Sequence, residues 1–257
     1  MGTNRVSIRR ALKFWVSDVY NNLGKVVLTN LAWTACFIPC LLIGMRIKQN
    51  LSPQTFLMLV VSFLLTSPAL GGMFHLARKI VINDPYIEMR DFFEGAKKYW
   101  GKSLFLLAVS LIIPTLTAVA MIFYAQMTST YSAGVIFWIL SLWVLIFFLL
   151  TQVYLFPLMV SQKMALGALL KTSLLVALNN IGFTVIIVLV EFLLLFLFFL
   201  TGLIFIGGVS TIVLLQTNAF VEVAKRYTGE EIRKEKKRET RGPRKVFREI
   251  FMPWRYD

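Results

Sequence analysis

The sequence predicts an all-α integral membrane protein with six transmembrane helices. These helices are expected to form three repeats, each an elbow helix at the membrane surface followed by a transmembrane hairpin. Three observations predict this fold. Hydrophobic residues make up 58% of the 257 residues and the mean hydropathy is +0.72, whereas a soluble domain is typically ~45–50% apolar. Long apolar runs alternate with short polar segments, and a short polar motif containing glycine recurs before three of the runs.

The apolar runs define six candidate spans, because a helix needs ~20 apolar residues to cross a bilayer. They are 26–45, 56–77, 103–125, 134–160, 181–200 and 203–224. The last two form one nearly unbroken apolar stretch. A turn near Thr201-Gly202 divides it best, and a turn at Gly207-Gly208 is the alternative.

The basic residues predict the orientation of these spans. Segments 1–25, 78–102, 161–180 and 225–257 contain 5, 6, 2 and 12 Lys or Arg residues, which is 25 of the 27 in the chain. All four segments lie on one side of a six-span arrangement. Cytoplasmic loops of membrane proteins carry an excess of Lys and Arg, so both termini are expected in the cytoplasm.

The repeated motif contains Gly24, Gly101 and Gly182, which are 77 and 81 residues apart. Each glycine follows a helix-like segment of about four turns and precedes a pair of spans. We expect the chain to turn steeply into the bilayer at these glycines, because glycine tolerates backbone angles that other residues avoid. The predicted repeats are 1–80, 81–160 and 161–227, followed by a basic cytoplasmic tail over 228–257.

Two of the elbow segments show the 3–4 spacing of an amphipathic helix. The third, over 161–178, is apolar nearly all round, so other parts of the protein are expected to cover it. Trp and Tyr prefer the membrane interface, which suits such helices. The predicted apolar faces consist of Ile8, Leu12, Trp15, Val16 and Val19 in the first helix and of Met89, Phe92, Phe93, Ala96 and Trp100 in the second.

The tail combines basic and aromatic residues at helical spacing. Arg244, Lys245, Arg248 and Trp254 are predicted to contact the anionic inner leaflet, where each basic residue near the surface contributes ~1 kcal/mol. A solvated tail that only enforces the topology is the alternative. Nucleic-acid binding is not expected, because no recognised binding motif accompanies the charge.

Polar residues within the spans are the candidates for a functional site. Glu191 lies ten residues into its span and Gln216 lies at a similar depth in the return span, so the two are predicted to form a hydrogen bond. That pair would be either structural or a substrate or proton site. Cys36, Cys40 and the single histidine, His75, are expected to be structural, and no metal or other cofactor is predicted.

Three stretches carry a family resemblance: NLAWTACFIP (30–39), TSPALGGMFHLARKI (66–80) and RDFFEGAKKYWGKSLF (90–105). Together they resemble the YesL-like family of bacterial membrane proteins, over roughly 30–110 of the chain. The resemblance implies a bacterial inner-membrane protein often associated with carbohydrate-uptake loci. It implies no established reaction and no catalytic residues.

Three functions are compatible with the sequence. The chain is expected to be an accessory or component of a transport system without a catalytic site, and transporter subunits are its candidate partners. The first alternative is a membrane enzyme or binding protein that acts on a lipid or lipid-linked substrate. The second is a scaffold or sensor that docks a cytoplasmic partner. We favour the transport role because no Ser-His pair, paired carboxylates or metal-ligand set is recognisable in the sequence.

Overall fold

The computed structural model describes residues 6–47, 52–127, 133–229 and 233. These residues form α-helices and one short 3-10 helix, Leu203–Phe205, and contain no strand. The predicted all-α class is therefore confirmed for the described part of the chain. The helices are α1 (Ile8–Asn21), α2 (Leu23–Ile47), α3 (Pro53–Leu64), α4 (Ser67–Val81), α5 (Arg90–Met127), α6 (Ala133–Ser161), α7 (Leu166–Asn179), α8 (Ile181–Thr201) and α9 (Gly208–Thr228).

Five helical stretches of the described chain are long and apolar enough to cross a membrane. The second of them joins α3 and α4, and the fourth and fifth correspond to α6 and α8. The helix α9 lies where the sixth span was predicted. It is a continuous helix of 21 residues, but Gln216, Asn218 and Glu222 interrupt its apolar sequence. The stretches are Leu23–Met45, Pro53–Val81, Arg90–Met127, Ala133–Ser161 and Ile181–Thr201.

Three helices, α4, α6 and α9, pack against one another and form the centre of the protein. Each also carries a helix on its outside: the first part of α5 packs on α4, α7 packs on α6, and α1 packs on α9. The buried residues concentrate in α4, in α6 from Phe148 onward and in α9. Beyond Leu107, α5 contributes only Thr117 to the buried residues.

The junction between α1 and α2 and the junction between α7 and α8 have similar backbone conformations. Asn22, between α1 and α2, has φ −125° and ψ 27°, and Asn180, between α7 and α8, has φ −127° and ψ 37°. In each case the side-chain amide donates to a carbonyl four residues earlier, that of Asp18 at 3.0 Å or that of Val176 at 2.9 Å. The asparagine therefore ends one helix and lets the next one start in a new direction.

The prediction that Gly24, Gly101 and Gly182 are needed for unusual backbone angles at a turn is wrong. The glycines with positive φ in the described chain are Gly202 and Gly229, so Gly24, Gly101 and Gly182 have ordinary backbone angles. The turns are made two residues before Gly24 and Gly182, and α5 continues through Gly101 without interruption. Glycine inside a helix costs only ~1 kcal/mol relative to alanine, which is too little to force a break.

The connection between α8 and α9 includes both of the turns that the sequence offered. Gly202, with φ 70°, ends α8, and Gly207 precedes the first residue of α9. Asn30 of α2 ties this connection down: its amide donates to the Ile204 carbonyl at 2.9 Å and its side-chain oxygen accepts from the Ser210 backbone N–H at 3.0 Å.

Candidate functional site

The predicted hydrogen bond between Glu191 and Gln216 is present. The Gln216 Nε2 atom donates to Glu191 Oε2 at 3.2 Å. Glu191 is the middle residue of α8, and its second oxygen, Oε1, is buried without a hydrogen-bond partner. One carboxyl oxygen is therefore satisfied by a neutral amide, and the other is enclosed with nothing to bind.

A second polar pair joins α5 and α6. The Ser110 hydroxyl donates to Gln152 Oε1 at 2.9 Å. The amide nitrogen of Gln152 is buried without a partner, as is Glu191 Oε1. Each pair thus links the first and second helix of a hairpin and leaves one unsatisfied polar atom.

The two pairs occupy corresponding places in the predicted repeats. Ser110 and Glu191 each lie nine residues after a motif glycine, Gly101 and Gly182. Trp33 lies nine residues after Gly24, and its indole Nε1 is also buried without a partner. The corresponding position of each predicted repeat therefore carries a side chain with a polar atom.

The glutamines correspond as well. Gln152 and Gln216 each lie four residues before a buried phenylalanine, Phe156 and Phe220. The matching position before Phe74 in α4 is Leu70, which cannot hydrogen-bond. The first repeat therefore lacks the polar partner that the other two possess.

A cluster of charges that sequence reasoning missed lies where α1 packs on α9. Asp18 is 2% exposed and accepts a hydrogen bond from Asn218 Nδ2 at 3.1 Å. Arg233 forms an ion pair with Asp18, donates to Asn218 Oδ1 at 3.3 Å and lies over the Phe14 ring at 4.2 Å. One signal could have revealed the cluster: Asp18 is the only acid among the first 25 residues, and it lies three positions from Trp15 on the apolar face.

Near this cluster, Glu222 anchors the start of α1. Its Oε1 atom accepts from the Ser7 backbone N–H at 3.1 Å and lies 3.7 Å from the Arg10 guanidinium. The Trp15 indole donates to the Thr211 carbonyl at 2.9 Å. These polar contacts hold α1 along α9 at several points.

His75 lies at the interface of α4 and α5. It is buried, its ring centre is 5.7 Å from that of Tyr99, and its Nδ1 atom has no partner. Beside it, Lys79 pairs with Asp91 at 2.6 Å. The described residues include no group of three or more His, Cys, Asp or Glu side chains that could hold a metal ion.

The predicted tail contacts Arg244, Lys245, Arg248 and Trp254 lie outside the described residues. A small cavity in the described part of the chain lies between α2, α4 and α9. It is lined by Lys25, Thr29 and Ser210 among apolar residues and has room for about one water molecule.

Comparison with protein-family models, curated proteins and solved structures finds no match for this chain.

Proposed function

We propose that this protein is a non-catalytic component or accessory of a membrane transport system in the bacterial inner membrane. The observation that supports this proposal is how the polar side chains in its helices are used. Many of them bond to a carbonyl of their own helix, as Thr151 does with Phe147 at 2.7 Å. Others bond across helix boundaries, as Tyr154 does with Thr184 at 2.9 Å and Trp15 does with Thr211. Such contacts hold helices together in membranes, whereas catalysis requires polar groups that converge on a substrate.

The arrangement we propose is six spans in three repeats, with α9 as the sixth span. Two corresponding pairs, Ser110–Gln152 and Glu191–Gln216, support it. The equal backbone angles at Asn22 and Asn180 support it as well. A further support is cyclic packing, in which α1 covers α9 as α5 covers α4 and α7 covers α6.

The elbow helices are proposed to lie at the cytoplasmic membrane surface. Corresponding positions in the three repeats carry exposed apolar side chains, namely Val16, Phe93 and Leu174, followed seven residues later by Leu23, Trp100 and Ile181. Phe93 and Trp100 are 63% and 61% exposed. The predicted apolar face of the second elbow helix is thus divided. Phe92 packs into the core, while Phe93 and Trp100 are free to enter lipid. Aromatic side chains favour the headgroup region.

Site-directed labelling tests the proposed orientation. Single cysteines at positions 50 and 130, in a variant with serine at Cys36 and Cys40, are expected to react with a membrane-impermeant maleimide in intact spheroplasts. Cysteines at positions 90 and 235 are expected to react only after the membrane is opened. The reason is that 25 of the 27 basic residues lie in the segments assigned to the cytoplasm. Labelling of position 90 in intact spheroplasts would contradict the orientation.

Purification from native membranes tests the transport role. The chain, tagged at its endogenous locus and extracted in mild detergent, is expected to bring down subunits of one transporter in stoichiometric amount, as identified by mass spectrometry. The resemblance to the YesL-like family favours a carbohydrate transporter. An unrelated polytopic protein with the same tag and expression level serves as the control.

The outcome also separates the alternatives. Recovery of the chain alone with a tightly bound lipid would contradict the proposal and favour an enzyme or binding protein for lipids. Recovery with a soluble protein in place of transporter subunits would contradict it in favour of a scaffold or sensor.

A further inference from the structure

We infer that Glu191 is a proton-binding site in the middle of the membrane, which carries its proton in the resting protein and lies next to the lipid-facing surface of α8. The inference requires α8 to span the bilayer and is independent of the proposed transport partner. It rests on the surroundings of the two carboxyl oxygens, on the charges near them and on the face of α8 that carries the side chain.

The surroundings of Glu191 provide little that would stabilise a negative charge. One oxygen accepts a single hydrogen bond from the neutral amide of Gln216, and Oε1 is buried without any partner. A carboxylate in a low-dielectric interior requires a cation or several donors to offset the loss of water. A single amide donor does not supply this, so the neutral acid is favoured.

The charged side chains that the structure describes on the neighbouring helices form no hydrogen bond or ion pair with Glu191. Within the described residues, α6 carries no charged side chain, and its titratable group is Tyr154, whose hydroxyl bonds to that of Thr184. On α9, Arg226 bonds to Asn180, which lies eleven residues before Glu191 along α8 and thus ~16 Å away. Other charges on packed helices are Arg10 beside Glu222, Asp18 beside Arg233, and Arg9, Lys13, Lys171 and Lys225.

Glu191 lies at the boundary between the protein interior and the outer face of α8. Its side chain is partly exposed, whereas its neighbours Leu189, Phe192 and Leu193 are more than half exposed and face outward. The route to the carboxyl group is therefore through the lipid-facing surface of α8. Because Oε1 is itself buried, a membrane-soluble molecule reaches the proton when the side chain moves toward that surface, whereas a polar reagent confined to water does not reach it.

The proton also affects the contact between α8 and α9. When Glu191 is neutral, its carbonyl oxygen accepts from Gln216, and the contact between α8 and α9 needs neither water nor a cation. Removal of the proton would leave a charge in the centre of the bilayer, where charged side chains are costly. Proton release is therefore expected only together with a rearrangement that brings in water or a cation, which is the property of a coupling site.

Infrared spectroscopy of the full chain in lipid vesicles tests this inference. At pH 7 the wild-type protein is expected to show the carbonyl stretching band of a protonated carboxylic acid, and the Glu191→Gln variant is expected to lack it. The Glu222→Gln variant is the matched control, because Glu222 already has the Arg10 cation and a backbone N–H as partners. A wild-type spectrum without the band, or a band that remains in Glu191→Gln, overturns the inference.

A chemical probe gives a second readout on the wild-type protein, so the test does not depend on how a variant folds. Dicyclohexylcarbodiimide, which dissolves in membranes, takes the acid proton onto one nitrogen while a carboxyl oxygen bonds to its central carbon. The resulting O-acylisourea rearranges to a stable N-acylurea without oxidation or reduction. Peptide mass spectrometry is expected to locate the adduct at Glu191, and a water-soluble carbodiimide is expected to leave this residue unmodified. An unmodified Glu191 in the presence of the lipid-soluble reagent contradicts the inference.

Discussion

Replacing Gly72 with alanine is expected to destabilise the protein strongly, because α4 and α5 approach each other there too closely for a side chain. A Cβ atom at position 72 would lie 2.5 Å from the backbone oxygen of Phe92 and 2.9 Å from its ring. A backbone oxygen cannot rotate away, so the two helices would have to separate. Overpacking of a well-packed core costs typically ~1–3 kcal/mol, and we expect a loss at the upper end of that range.

The measurement is thermal unfolding in detergent, in which the fraction of protein that remains monodisperse is recorded at each temperature. Gly101→Ala is the matched control, since position 101 lies on α5, the helix that packs against α4, and no atom is within 4 Å of the added Cβ. The control is expected to be neutral or more stable by up to ~1 kcal/mol, because alanine favours the helix. Equal melting temperatures for the two variants would show that the helices do not pack so closely.

Gly95 faces the same interface from the other side. A Cβ atom there would lie 2.4 Å from the Cβ of His75. Small residues that allow close backbone approach are typical of helix interfaces in membranes. The pairing of α4 with α5 thus depends on one glycine from each helix, and on His75 fitting into the space that Gly95 leaves.

The features that the sequence predicted correctly depend on lengths and positions measured along the helices. Runs of about 20 apolar residues predict long helices because the bilayer sets the length. The Glu191–Gln216 bond was predictable because two antiparallel helices of known rise bring their residues to calculable depths. The first prediction requires no knowledge of packing, and the second requires only that two helices consecutive in the chain lie side by side.

The features that were missed depend on tertiary packing. Gly24, Gly101 and Gly182 were selected because they recur in sequence, whereas Gly72 and Gly95 matter because two distant helices meet there. The turn itself is made by asparagine at two junctions, since its side-chain amide can bond the last carbonyls of the preceding helix. At the corresponding place in α5 the residue is Tyr99, which has no amide, and the helix continues.

Replacing Asp18 with alanine is expected to lower the free energy of unfolding by ~3–5 kcal/mol, which is the usual cost of leaving one member of a buried ion pair without its partner. Asp18 is 2% exposed and the Arg233 side chain is 16% exposed. Without the carboxylate, the guanidinium would keep the Asn218 oxygen and the Phe14 ring as its partners among the described residues. The Nδ2 group of Asn218 would also lose one of its acceptors.

A double-mutant cycle separates the loss of the ion pair from the loss of packing. If Asp18 and Arg233 stabilise each other, Asp18→Ala combined with Arg233→Met destabilises the protein less than the sum of the single variants, because no unpaired charge remains. Lys13→Ala, an exposed substitution on the same helix α1, is the control and is expected to change the stability by less than ~0.5 kcal/mol. Additive effects of the two substitutions would mean that Arg233 does not pair with Asp18.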